Sequence, residues 1–148
     1  MSDLLNQVKV TRCMNAVAAG TTQQNGTALD MAGYEGVLFL AAFGALTANQ
    51  VTAIFAQEDD AAAMGNAANM TGTQVGPLAD NASNKCLLLD VNQPQKRYVR
   101  CVVSRGTANA AIDGVWAIQY KPNWRPTTQD ATTVYSSELH VNEGEGTI

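Results

Sequence analysis

Between about residue 28 and residue 120 the chain carries no sustained 3.6-residue apolar period. Short apolar or alternating runs recur instead between clusters of turn-forming residues, the pattern of an all-β chain. Residues 9–17 form the first run. The polar stretch 20–26 that follows ends in Asn25-Gly26, a pair favoured in tight hairpin connections, so residues 27–31 are expected as the return strand. In residues 34–43, Val37, Phe39, Ala41 and Phe43 fall on one face and Leu38, Leu40 and Ala42 on the other. Apolar residues on both faces predict a central strand covered on both sides. Residues 51–57 read as a further strand, ending at Glu58-Asp59-Asp60, three carboxylates that want solvent. The segment 61–72, rich in Ala, Met and Asn and punctuated by Gly65 and Gly72, reads as a loop.

Residues 85–91 form a compact apolar strand between the polar runs 80–84 and 92–94. Residues 97–105 alternate, with Val99, Cys101 and Val103 on one face and Tyr98, Arg100, Val102 and Ser104 on the other. Residues 114–120 close the series and place Trp116, Ile118 and Tyr120 together. Seven or eight strands in about 110 residues predict a β-sandwich or jelly-roll-like domain, preferred here over a small barrel. The sequence Pro122-Asn123-Trp124-Arg125-Pro126 breaks any strand, and residues 127–148 carry too few large apolar side chains to fold alone. The domain is therefore read as residues 1–121 and an extended C-terminal arm as 122–148. Two readings stay open for that arm: a frayed tail, or a segment lying on a neighbouring surface and anchored by Trp124, Val134, Tyr135, Leu139 and Val141.

Composition narrows the classes. The 148 residues are 46% hydrophobic, 15% charged and 6% aromatic, with a formal net charge of -4. A domain of this length buries roughly 68–70% of its unfolded surface, which excludes a disordered chain. The charged fraction is below the ~25% of an average domain, so the surface is small-residue and neutral, suited to packing against other protein. Net negative charge disfavours nucleic acid as a partner, because phosphate neutralisation needs clustered Lys and Arg. The longest apolar run, residues 37–46, falls well short of the ~20 residues that cross a bilayer, and no membrane partner is expected. The first ten residues lack a basic stretch followed by an apolar one, so no signal peptide is read there and a cytosolically made, soluble protein is expected.

Candidate chemistry is sparse. Cys13, Cys86 and Cys101 are odd in number and lack C-x-x-C spacing, which argues against a disulfide framework and a structural zinc site; each reads as a buried thiol. The one histidine, His140, lies in the C-terminal segment with no nucleophile motif beside it. The acids 58–60 lack the alternating spacing of a calcium loop, and no G-x-x-x-x-G-K occurs. No catalytic residues, cofactor or metal site are expected. Four of the nine basic residues, Lys96, Arg97, Arg100 and Arg105, fall within ten positions. Read blandly, they are strand-end charges that discourage unwanted pairing. Read sharply, they form a basic strip for an acidic partner or neighbouring subunit, centred on Arg100 beside Tyr98.

The runs Gly33-Tyr34-Glu35-Gly36-Val37, Thr47-Ala48-Asn49-Gln50-Val51, Ala56-Gln57-Glu58-Asp59-Asp60, residues 96–103, Ile112-Asp113-Gly114, residues 126–130 and residues 136–141 together resemble a family of small tailed-bacteriophage virion proteins. The resemblance covers most of the chain from about residue 30 onward. It implies a capsid auxiliary protein of the decoration or cement type. Such a protein sits on the exterior of an icosahedral shell, often as a homotrimer at local three-fold axes, contacts the major capsid protein and is assembled in the bacterial host cytoplasm. On that footing Trp124, Tyr135 and Leu139 are candidate arm anchors and Tyr98 and Arg100 candidate inter-subunit contacts, since Trp, Tyr and Arg dominate interface hot spots. Two further classes remain: a head-fibre or tail-associated adhesin that binds a host surface glycan through Trp116 or Trp124, and, with least support, a small β-fold hydrolase.

Overall fold

In the computed structural model, which describes residues 3–141 and 144–146, the alternating runs become ten strands. These are β1 (Lys9–Met14), β2 (Val17–Gly20), β3 (Gln24–Asn25), β4 (Leu29–Asp30), β5 (Tyr34–Leu46), β6 (Ala53–Asp59), β7 (Ala68–Asn69), β8 (Cys86–Asn92), β9 (Tyr98–Ser104) and β10 (Ala110–Pro122). All pairing is antiparallel. The first sheet runs β1-β10-β5-β8, with β2 continuing the β1 edge along β10; the second runs β3-β9-β6-β7, with β4 continuing the β3 edge along β9. Counting β1 with β2 and β3 with β4 as interrupted single strands, the order is first-eighth-third-sixth over second-seventh-fourth-fifth. That is a β-sandwich with the jelly-roll order of strands.

The inward faces follow the two-residue period. Val37, Phe39, Ala41 and Phe43 of β5 and Val115 and Ala117 of β10 share one buried cluster with Val99, Cys101 and Val103 of β9. Each covered Val or Phe adds roughly 1.5–3 kcal/mol of hydrophobic stabilisation, so the two longest strands, β5 and β10, sit side by side at the centre of the first sheet.

Several expectations are corrected. Asn25-Gly26 does not close a hairpin: β3 and β4 leave the first sheet and pair with β9 in the second. The Gly26 N–H donates to the Cys101 carbonyl and the Thr27 N–H to the Cys13 carbonyl, each at 2.8 Å, so this segment ties the two sheets together. A Cβ on Gly26 would press into the Cys101 carbonyl oxygen; the glycine serves close backbone approach rather than a turn. Burial of Leu29 and Met31 on the far side of the crossing outweighs the local turn preference. The strand begun at residue 34 continues to Leu46 and is central, between β10 and β8, but only one of its faces is fully covered. Leu38, Leu40 and Ala42 are half-buried.

The acids at the end of β6 are not simply solvated. Asp59 is buried and accepts the amides of Asn66 at 2.8 Å and Ala61 at 3.3 Å. Those hydrogen bonds, led by the one from Asn66, hold its carboxyl below the usual aspartate range. Glu58 accepts the amides of Gln95 and Lys96 at 3.0 and 3.2 Å, so two of the three carboxylates brace loops. Cys13 and Cys101 are buried as expected, whereas Cys86 is exposed, because Leu87, Leu89 and Val91 take the inward side of β8.

Candidate interaction surfaces

Covering one face of the first sheet leaves the alternate side chains pointing outward. The register aligns Arg12, Trp116, Leu40 and Leu88 in one row and Val10, Ile118, Leu38 and Asp90 in the next, with Ala42 and Cys86 beside them. Leu88 is 55% exposed, and Leu38, Leu40, Ala42, Trp116 and Ile118 are half-buried. The Arg12 guanidinium stands 5.5 Å above the Trp116 ring, within range of a cation–π contact. At one end of the face the Tyr120 ring lies across β5 over Gly36, where a Cβ would collide with it. Its hydroxyl donates to Asp90 Oδ1 at 2.5 Å. Burial, this hydrogen bond and the charges of Asp90 and Glu35 push the Tyr120 phenol up to about 12.

The outer face of the second sheet carries the half-buried Phe55 beside the buried Val102, and its polar side chains are tied to one another. Arg100 Nε donates to Gln57 Oε1 at 2.8 Å, and Gln57 Nε2 donates to Asn69 Oδ1 at 2.8 Å. Arg97 forks onto Asp30 with two bonds of 2.9 Å and stacks 5.3 Å over the Tyr98 ring. Its guanidinium holds the Asp30 carboxyl below the usual range, chiefly through the hydrogen bond. Arg105 is the correction to the edge-charge reading. It is 9% exposed and donates to the carbonyls of Thr22, Ala18 and Ala110 at 2.8, 3.0 and 2.6 Å, clamping the β2 end to the start of β10. Of the four basic residues, three guanidinium groups are therefore engaged within the chain.

Beyond Pro122 the Asn123 N–H donates to the Gly33 carbonyl at 2.8 Å, and the chain then meets the N-terminus. Thr127 Oγ1 donates to the Val8 carbonyl at 2.6 Å, Gln129 Nε2 donates to the same carbonyl at 2.8 Å, and Gln129 Oε1 accepts the Val10 N–H at 2.7 Å. Past this clamp Val134 is half-buried, whereas Tyr135, Leu139 and Val141 are exposed, as is Trp124 just before it, at 85%. Thus Tyr98 and Arg100 share the outer face of β9, while Trp124, Tyr135 and Leu139 stand on the C-terminal segment. His140 is exposed, with Nδ1 3.7 Å from Glu138.

Among the described residues no group of three or more His, Cys, Asp or Glu side chains is placed to hold a metal ion, and no helix is long and apolar enough to cross a membrane. Burial pushes the Cys13 thiol up to about 12 and raises that of Cys101 as well, which leaves both protonated and unreactive at neutral pH. A shallow cleft of about 360 Å³ lies among Met31, Tyr34, Glu35, Gln93, Lys96 and Arg97. Sequence reading missed Arg12 and Leu88 as surface residues of the apolar face, and the Thr127/Gln129 clamp. Only the polar Thr127-Thr128-Gln129 run after Pro126 hints at the last. No protein-family model matches the chain, and no curated protein matches it significantly.

Proposed function

We propose that this chain is a structural virion protein that decorates and stabilises a bacteriophage capsid from outside by bridging shell subunits, acting as a homo-oligomer, with a trimer favoured, and performing no catalysis. The observation that carries the reading is the outer face of the first sheet, where Leu38, Leu40, Leu88, Trp116 and Ile118 form an apolar patch rimmed by Arg12 and Asp90. A contiguous, partly exposed apolar face of this kind marks a protein contact. We assign that face to the major capsid protein. Contacts among subunits fall to Tyr98, Arg100, Trp124, Tyr135 and Leu139. The resemblance to small phage virion proteins supports the assignment, and the jelly-roll order supports it only as analogy, because that fold hosts many functions.

Purified protein added to undecorated shells should bind at hundreds of copies per particle and raise the temperature at which the shells disrupt. Absence of both effects would overturn the reading. One observation favours a second reading: the largely exposed indole of Trp124 is a ready stacking surface for a sugar ring, as an adhesin would need. Copy number separates the two, a dozen or fewer per virion pointing to a fibre or tail position.

A further inference from the structure

The sheets have four edges, and three are closed. Along β1 the Gln129 side chain takes the Val10 N–H and the Val8 carbonyl, and the strand carries an irregularity between Arg12 and Met14. The second sheet ends in two-residue strands, β3 and β4 on one side and β7 on the other. Beside β7, Val75 and the Thr73 hydroxyl cover β6, with Ile54 N–H bonded to the Val75 carbonyl at 3.0 Å and Ala56 N–H to Thr73 Oγ1 at 3.0 Å. Short strands, irregularities and covering loops are how native proteins blunt their edges.

The β8 edge has none of these devices. It is seven residues long, pairs with β5 in unbroken register from Gly36↔Asn92 to Ala42↔Cys86, and contains no proline. Phe43 N–H donates to the Lys85 carbonyl and Gln93 N–H to the Glu35 carbonyl. This register turns the backbone groups of Leu87, Leu89 and Val91 toward β5 and those of Cys86, Leu88 and Asp90 away from it. Among the described residues no strand pairs with that outer side.

The C-terminal segment shows the converse. Over residues 132–141, Thr133, Tyr135, Leu139 and Val141 share one parity with Ser137, whereas Thr132, Ser136, Glu138 and His140 hold the other, with Val134 the one apolar exception. That alternation, rich in Thr, Val and Tyr, is the signature of a half-buried strand. Yet the segment forms no strand, and its apolar parity lies in solvent. The chain thus holds an edge without a strand and a strand without an edge.

We propose that residues 133–141 of one copy add as an edge strand to β8 of a second copy of this chain. The occupant follows from placement. The segment departs from its Gln129 clamp at the β1 edge, and residues 130–133 span at most about 14 Å when extended, whereas the slot outside β8 lies four strand spacings across the sheet, about 19 Å away, so within one copy residue 133 does not reach it. Donor and acceptor on opposite edges make a head-to-tail contact, which closes into a ring when the rotation permits. Strand addition of this kind draws affinity from backbone hydrogen bonds and specificity from alternate side chains. The inference deepens the homo-oligomer part of the proposed function and is independent of shell binding, so shell binding and subunit association are measured separately.

The test is sedimentation of the full chain and two proline variants at high micromolar concentration. Leu139→Pro removes a donor from the incoming segment and cannot break a strand of the free chain, which has none there. Leu88→Pro removes an N–H that points away from β5, the position where an edge tolerates proline. The parent protein should self-associate, each variant should weaken this by at least about tenfold with cooperative unfolding retained, and an equimolar mixture of the two should form one-to-one pairs. A monomeric parent, or a Leu139→Pro protein that associates like the parent, would refute the proposal. A monomer in which the Cys86–Asp90 amides are protected from exchange only when the C-terminal segment is intact would also refute it, by showing the segment folding back on its own chain.

Discussion

The two outward faces of the sandwich differ in what they leave undone. On the second sheet, Arg100 of β9, Gln57 of β6 and Asn69 of β7 are bonded in a chain and Arg97, just before β9, forks onto Asp30 of β4, and Val102 is fully buried. On the first sheet, the outward rows are Arg12-Trp116-Leu40-Leu88 and Val10-Ile118-Leu38-Asp90. Their polar contacts are confined to the rim, where Tyr120 meets Asp90. A face whose polar groups are already bonded to one another gains little at those groups by meeting protein, because each bond must be replaced. A face of half-covered Leu, Ile and Trp gains about 25 cal/mol for every Å² removed from water. The contrast assigns the second sheet's face to solvent and subunit rims and the first sheet's face to a partner.

Breaking the rim should have the largest effect on the chain itself. Gly36→Val drives a side chain into the space of the Tyr120 ring and should cost about 1–3 kcal/mol, the usual penalty of overpacking, read as a lower urea midpoint. The midpoint should recover in part when Tyr120→Ala is added. A Gly36→Val protein as stable as the parent would show that the ring does not need its place over β5.

A matched pair of substitutions sharpens the contrast between faces. Leu40→Asp, at the centre of the first sheet's outer face, should lower free-chain stability by about 1 kcal/mol and weaken binding to undecorated shells at least about tenfold. Arg100→Ala breaks one bond to Gln57, should cost about 0.5–1.5 kcal/mol, and should leave shell binding within about twofold of the parent. Equal losses for the two would remove the distinction between the faces.

The smallest effect is one of pH. With its folded phenol pushed up to about 12 from the ordinary 10, Tyr120 keeps its proton in the folded chain over an interval in which the unfolded chain has lost it. Its contribution is fully present below pH 10 and is lost as the pH rises toward 12. Tyr120→Phe should flatten that fall in stability, measured by denaturation at stepped pH; an unchanged slope would show that the rim bond does not govern it.

The particular elements show where sequence reading reaches. The inward positions of β9 were legible from alternation, since Val99, Cys101 and Val103 repeat with the two-residue period that a half-buried strand requires, whereas β5 is apolar on both faces and its sequence singles out neither. The same reading misassigned residues 24–31, because Asn25-Gly26 reports what a turn tolerates and not which sheet receives the next strand. It placed Leu38 and Leu40 under cover, since a two-faced apolar strand reads the same whether its second face meets another layer or a partner. In sequence Arg105 reads as an edge charge, because nothing local reveals that three carbonyls converge on it. Of the candidate surface, Trp116, Ile118 and Tyr120 were grouped correctly from β10 alone, while their neighbours Arg12, Leu40 and Leu88 join them only through inter-strand register.

By itself, then, the amino-acid order determined the class of fold, most of the strands and the two faces of β9, because alternation acts on neighbours along the chain and needs no partner to be read. The tertiary structure alone decided that β10 lies between β1 and β5, that β3 and β4 cross to the second sheet, and that β8, beyond β5, is the last strand of the first sheet among the described residues. The physical reason is that backbone hydrogen bonds in a sheet are made between segments far apart in sequence. Any strand can satisfy them equally well until the packing of the whole core selects one arrangement.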